Sequence, residues 1–124
     1  MPIAIFILVI MTLLGTAMIQ LITTSHMSIA NETLSTRAFY AAESGAQYGM
    51  NRLFPLTGPP APGCFIGTIT LNFTVNGLND CSAAVSCSDE GSFNGNDHYT
   101  IISTGQCGTG NDVAIRQLQV GAKQ

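Results

Sequence analysis

The chain has 124 residues, room for one small domain and one long element but not for two full domains. Only 9% of its residues are charged and its formal net charge is −3, with Arg37, Arg52, Arg116 and Lys123 its only Lys or Arg residues. There is no Lys/Arg-rich face for nucleic acid and no polybasic patch for anionic lipid, so any membrane attachment must come from apolar length.

The first predicted element supplies that length. Residues 1–22 carry no charge, and only Thr12, Thr16 and Gln20 interrupt the apolar run. As a helix this run would be about 33 Å long, enough to cross a hydrocarbon core. A soluble core helix of this size shows a polar face, and this one shows almost none. A cleaved secretory signal would need a basic start, a shorter apolar core and a small-residue cleavage site, and the run has none of these. Met1-Pro2 is a small clue of another kind: an initiator Met before Pro is usually removed, so a retained Met1 suggests a leader cut off ahead of it. Ala4 and Gly15 fall near one helix face, where a neighbouring helix could approach.

Residues 23–54 read as a second, amphipathic helical section, which makes 1–54 one N-terminal helical part. Met27, Ala30, Leu34, Ala38, Ala41, Ala42, Tyr48 and Leu53 recur near a 3.6-residue period, with Glu32, Arg37, Glu43 and Arg52 largely off that stripe. Thr23, Thr24 and Ser25 are a candidate polar break, and Gly15-Thr16 a candidate soft spot. Gly45 and Gly49 weaken the helix by up to about 1 kcal/mol each, and Gly45 lies on the stripe, where it can mark a close approach. Glu43 is expected to pair locally, with Arg37 or a backbone group. No small domain can bury a helix of this total length, so its first half must lie in lipid or among other subunits.

Residues 55–63, PLTGPPAPG, end the helix with Pro and Gly and open a β head over 55–124. Within Ile66 to Val75, Ile69, Leu71, Phe73 and Val75 alternate with Thr68, Thr70, Asn72 and Thr74, the strongest strand signal in the chain. Asn76-Gly77 is a turn signal. Further strands are expected at Cys81–Cys87, Tyr99–Thr104 and Val113–Val120. The tract 88–97 should be an exposed loop, 106–112 a turn, and Arg116 the place of a bulge where the apolar phase slips between Ile115 and Leu118. Four short strands in this order imply an antiparallel meander packed on residues 34–54, an α+β fold.

All four cysteines, Cys64, Cys81, Cys87 and Cys107, lie in the head. A head of this size has a thin core, and an even cysteine count beside an export-type start indicates disulfides in an oxidising compartment. Of the three possible pairings, an antiparallel meander favours Cys64–Cys87 with Cys81–Cys107. Zinc fits poorly, because five residues separate Cys81 from Cys87 and neither His26 nor His98 is placed as a fourth ligand. Asp89, Glu90, Asn94, Asn96 and Asp97 are oxygen donors without calcium-loop spacing. No catalytic constellation, metal set or cofactor motif is present in the sequence, and no enzyme activity is expected.

The stretch Arg37-Ala-Phe-Tyr-Ala-Ala-Glu-Ser-Gly-Ala-Gln47 resembles the AFYAAESGAQ segment of minor pilins of the PilX and MSHA-biogenesis-P kind, within the type IV pilin superfamily. Residues 99–105, Cys107-Gly108 and 114–120 are similar to the C-terminal half of the MSHA member. The resemblance implies a basic leader removed by a prepilin peptidase, which methylates the new N-terminus, here Met1. It implies residence in the bacterial inner membrane with the head in the periplasm, then an extracellular pilus. The implied partners are the major pilin, other minor pilins and the inner-membrane assembly platform. Ile5, Leu8, Ile10, Leu13 and Leu14 would pack in the filament core. Major pilins carry Glu where this chain has Ile5, and a Pro often found near position 22 is replaced by Ile22. A buried Glu without its amine partner is costly, so a subunit lacking that partner is better apolar, which favours a place at or near the tip. A type II secretion pseudopilin, or a membrane-anchored adhesin using 88–97, are the alternatives.

Overall fold

A computed structural model describes residues 2–61 and 63–124, and only the backbone of Leu21 and residues 23–27. Met1, the expected modified N-terminus, therefore lies outside the described residues, as do the side chains of Met27 and His26. The element order is α1 (Pro2–Leu53), β1 (Ile69–Phe73), β2 (Cys81–Phe93), β3 (Asn96–Thr109) and β4 (Asp112–Lys123). The chain divides into two units, Met1–Glu32 and Thr33–Gln124.

The first unit is helix throughout its described length, across the candidate soft spot at Gly15-Thr16; the assignment also runs through Thr23, Thr24 and Ser25, so the polar break is not a helix break. Leucine and methionine lose little rotamer freedom in a helix, an apolar surrounding leaves the backbone of the β-branched isoleucines no other way to satisfy its hydrogen bonds, and no interior proline interrupts the ladder. Thr12 and Thr16 return their hydroxyls to the carbonyls of Val9 and Leu13, both at 2.9 Å. These polar atoms are satisfied inside the helix itself, which an apolar surrounding requires.

In the second unit α1 runs from Thr33 to Leu53 and stops before Pro55, whose ring disfavours helical geometry at Phe54. Ala61 N–H donates to Leu53 O at 3.0 Å and folds the proline-rich connection back on the helix end. The four strands form one antiparallel sheet in the order β1-β2-β3-β4. Every connection is between neighbours, which is the expected meander.

Several strand boundaries differ from the sequence reading. β1 is only Ile69–Phe73, paired with Val85 to Cys81 of β2, and Ile66 and Val75 lie beyond its ends and are exposed. The tract 88–97 is not a loop. β2 and β3 continue through it as a long hairpin closed by Asn94-Gly95, both at positive φ (57° and 80°), the turn geometry that matches strand twist. Polarity misled the reading there: strands that leave the core are exposed on both faces and need no alternation. The 106–112 turn contracts for the same reason, because β3 and β4 pair out to Thr109 and Asp112. No bulge occurs at Arg116, where the β3–β4 register is continuous; the register shift lies between Asp89 and Gly91 in β2. Ile115 points to the outer face and is exposed, so the apparent phase slip is an exposed isoleucine and not a kink.

The inner face of the sheet, Cys81, Ala83, Val85, Tyr99, Ile101, Ser103 and Cys107, is buried against Ala38, Ala41, Ala42, Ala46 and Leu53 of α1. Tyr48, expected on the buried stripe, is exposed instead, and Arg52 approaches its hydroxyl at 3.5 Å. The true stripe runs through Gly45 and Gly49, whose lack of side chain admits the sheet.

Candidate assembly surfaces

Two surfaces carry the functional question. The first is the apolar segment. Pro2–Gln20 has a mean hydropathy of 2.5, is long and apolar enough to cross a membrane, and none of it is buried within the chain. Ile5, Leu8, Leu13 and Leu14 are all more than half exposed and Ile10 is 39% exposed. About 25 cal/mol per Å² is gained when such surface leaves water, so a row of these side chains calls for lipid or other helices as cover. Nothing lies within 4 Å of where a Cβ on Gly15 would sit, so that position is open to an approaching helix.

The second is the seam between α1 and the sheet, built from small residues. A Cβ on Gly105 would strike the carbonyl of Ala38 and the amide nitrogen of Ala42, so β3 lies directly on the helix backbone there. A Cβ on Gly45 would strike Ser103 Oγ and come within 2.9 Å of Ala83 Cβ. A Cβ on Gly49 would meet Ile101 and Val85 at 3.0 Å. Alanine and glycine therefore serve as contact residues, at the expense of buried apolar area. The core is correspondingly thin, and covalent bonds reinforce it: Cys64–Cys87 ties the approach to β1 onto β2, and Cys81–Cys107 joins register partners of β2 and β3. Ser103 Oγ is fully buried and has no hydrogen-bond partner among the described residues.

The polar residues of α1 are arranged by side. Arg37 does not pair with Glu43. Its Nε donates to Gly77 O at 2.7 Å and its Nη2 to Asn79 O, bolting the loop after β1 to the helix. Carbonyls at a tight turn leave unsatisfied lone pairs that a guanidinium fork matches well. Arg52 borders the segment that leads into β1, beside Ala61, Gly63, Cys64 and Phe65. Glu43 lies on the opposite side, with Ala46, Gln47, Met50, Leu118 and Val120 around a groove of about 350 Å³ between α1 and β4. Phe39 and Tyr40 face solvent edge-to-face, their centroids 6.1 Å apart.

At the hairpin tip the oxygen donors are engaged separately. Asp89 Oδ1 accepts from Gly91 N–H at 2.8 Å, Glu90 accepts from Ser88 at 3.0 Å, and Asp97 accepts from Ser92. Among the described residues no three metal-competent side chains converge. Tyr99, on β3, has its phenol pushed above the ordinary value by burial first and by the negative charges of Asp97 and Asp89 second. The roles of Gly105, of Arg37's carbonyl partners and of the β4 groove are not legible as such in the sequence. A glycine in a strand was the only visible signal for the first, and the others depend on tertiary neighbours.

Residues 3–47 match the family model described as PilX N-terminal, rather more than a third of the chain. The match takes in the apolar segment and the Ala/Gly face up to Gln47. It supports a type IV pilin-like minor pilin, and the helix with its four-stranded antiparallel sheet is consistent with the type IV pilin fold. No curated protein and no solved structure matches the chain.

Proposed function

We propose that this chain is a structural, assembly-priming minor pilin of a type IV pilus of the MSHA kind, placed at or near the filament tip. The observation that carries the proposal is the PilX N-terminal match over residues 3–47, which takes in an apolar helix segment exposed from Ile3 to Gln20. The work of such a subunit is packing. Ile5, Leu8, Ile10, Leu13 and Leu14 first rest in the inner membrane and then exchange lipid for neighbouring helices, at little net cost because both surroundings are apolar. Ile5 at the position of the major pilins' Glu removes any need for a neighbour's amine, which supports an end position. The head stays in the periplasm until extrusion, where an oxidising compartment allows both disulfides to persist. The major pilin, other minor pilins, the prepilin peptidase and the assembly platform are the partners of this scheme, with Met1 as the methylated end.

The test is direct. An epitope-tagged chain should co-purify with sheared filaments, and its deletion should lower the number of surface pili. Full piliation in the deletion strain, with the tagged chain absent from filaments, would remove the proposal. Intact mass of the native protein should be one methyl group above the unmodified chain with all cysteines oxidised.

A further inference from the structure

β4 is an edge strand twelve residues long, and among the described residues no other strand covers its outer side. Such an edge presents a row of free N–H and C=O groups that template another strand. Its charges are confined: Asp112 and Arg116 lie in its first half, Lys123 at its end, and Gln117 to Ala122 is uncharged. The groove lined by Ala46, Met50, Leu118 and Val120 opens beside that uncharged stretch. The opposite edge of the sheet, β1, is a five-residue uncharged strand, and its sequence alternation runs on past its C-terminal end through Thr74 to the exposed Val75.

We propose that the Gln117–Ala122 stretch of β4 receives the β1 edge of a second copy of this chain, extending one sheet across two heads that lie side by side. The pairing is dictated by parity and by face. An antiparallel sheet of four strands has edges running in opposite directions. Simple translation of one head beside another thus sets β4 antiparallel to β1 of the second copy. Translation also keeps the Thr33 ends of both helices on one side, so that a single bilayer can take both apolar segments. Pairing β4 with β4 about a two-fold axis normal to the sheet would send those ends opposite ways.

The faces match as well. Placing Leu118 opposite Phe73 of the second copy puts Val120 opposite its Leu71 and Ala122 opposite its Ile69, apolar against apolar on the inner face. The same register puts Gln117 opposite Thr74 and Gln119 opposite Asn72 of the second copy, polar against polar on the outer face, the cross-strand combinations that stabilise a sheet. Helix charges agree: Arg37 and Arg52 flank the β1 side, while Glu43 stands at the β4 groove with no ion pair among the described residues. The inference deepens the pilin reading and relies on it for the shared orientation.

The experiment uses the full-length chain in lipid bilayers. A chain carrying both Gln119→Cys and Asn72→Cys should form a ladder of disulfide-linked dimers and higher species on oxidation, and each single variant should remain monomeric. No ladder, or dimers from Gln119→Cys alone, overturns the proposal. A photoreactive residue replacing Gln117 gives a reading free of cysteine exchange. Cross-links to residues 72–76 of another copy support the pairing; cross-links only to lipid, to the same chain or to a different protein overturn it. Presence of the chain in sheared filaments is scored separately: incorporation without cross-links rejects the strand pairing alone, and cross-links without incorporation reject the pilin reading alone.

Discussion

At the scale of single residues, the head is controlled by what is missing from glycine side chains. Gly105→Ala drives a methyl group into the α1 backbone, which has no flexible end to move aside. We expect a loss of about 3 kcal/mol, the upper part of the overpacking range, read as a lowered denaturant midpoint. Gly121→Ala meets nothing within 4 Å and should change stability by less than about 0.5 kcal/mol. Gly45→Ala is a graded case. Helix propensity gains up to about 1 kcal/mol, but the clash with Ser103 Oγ and Ala83 should exceed it. Ser103→Gly in the same chain should restore part of the loss, and an additive result in a double-mutant cycle would refute the contact. Ser103→Ala alone should be neutral or stabilising by about 1 kcal/mol, because it removes a buried hydroxyl without a partner.

At the scale of elements, α1 and the sheet are held by few apolar atoms and by a small number of specific ties. Arg37 is one of them, since its two hydrogen bonds to Gly77 and Asn79 hold the loop between β1 and β2. Arg37→Ala should cost about 1.5–3 kcal/mol for a lost charge-assisted pair and speed amide hydrogen exchange in residues 74–80 more than elsewhere. Arg37→Lys should not rescue it, because a single ammonium cannot reproduce a fork on two carbonyls. The disulfides are the other ties, closing spans of 23 and 26 residues. Each should be worth about 3–4 kcal/mol on the loop-closure scale. Full reduction should therefore unfold the head, seen as loss of the β signal by circular dichroism.

For the whole molecule, the governing fact is an apolar helix segment, Pro2–Gln20, with no buried residue. Ile5→Asp or Leu8→Asp places a charge where lipid or neighbouring helices must lie, at a cost approaching the ~2.5–3.5 kcal/mol of a central position for Leu8 and less for Ile5, which is nearer the end of the segment. These variants should be lost from sheared filaments while the disulfide-bonded head still folds. Normal incorporation of both would contradict the packing role. The full-length chain should require detergent or lipid to stay dispersed, and a stable water-soluble monomer would contradict the reading of Pro2–Gln20 as a stem.

Local chemistry determined much of this protein without tertiary help. The run from Pro2 to Gln20 is uncharged and apolar but for Thr12, Thr16 and Gln20, and only a helix satisfies its backbone away from water. Pro55 and the prolines after it had to end α1, and Thr/Ile alternation had to produce β1. The meander followed because short connections leave neighbouring strands little else to pair with. The tertiary structure alone decided where each strand stops, because the polar hairpin over residues 88–97 is held by its partner strand and not by its own pattern. It also decided which face of α1 is buried: Gly45 and Gly49 lie there because the sheet comes close to the helix, and Tyr48 falls at the edge of that face and is exposed. Arg37's choice of Gly77 and Asn79 over Glu43 belongs to the same class. Arg37 and Glu43 are close in sequence, but the loop after β1, some forty residues on, supplies the acceptors. Contacts between residues so far apart are set by packing, which no local pattern encodes.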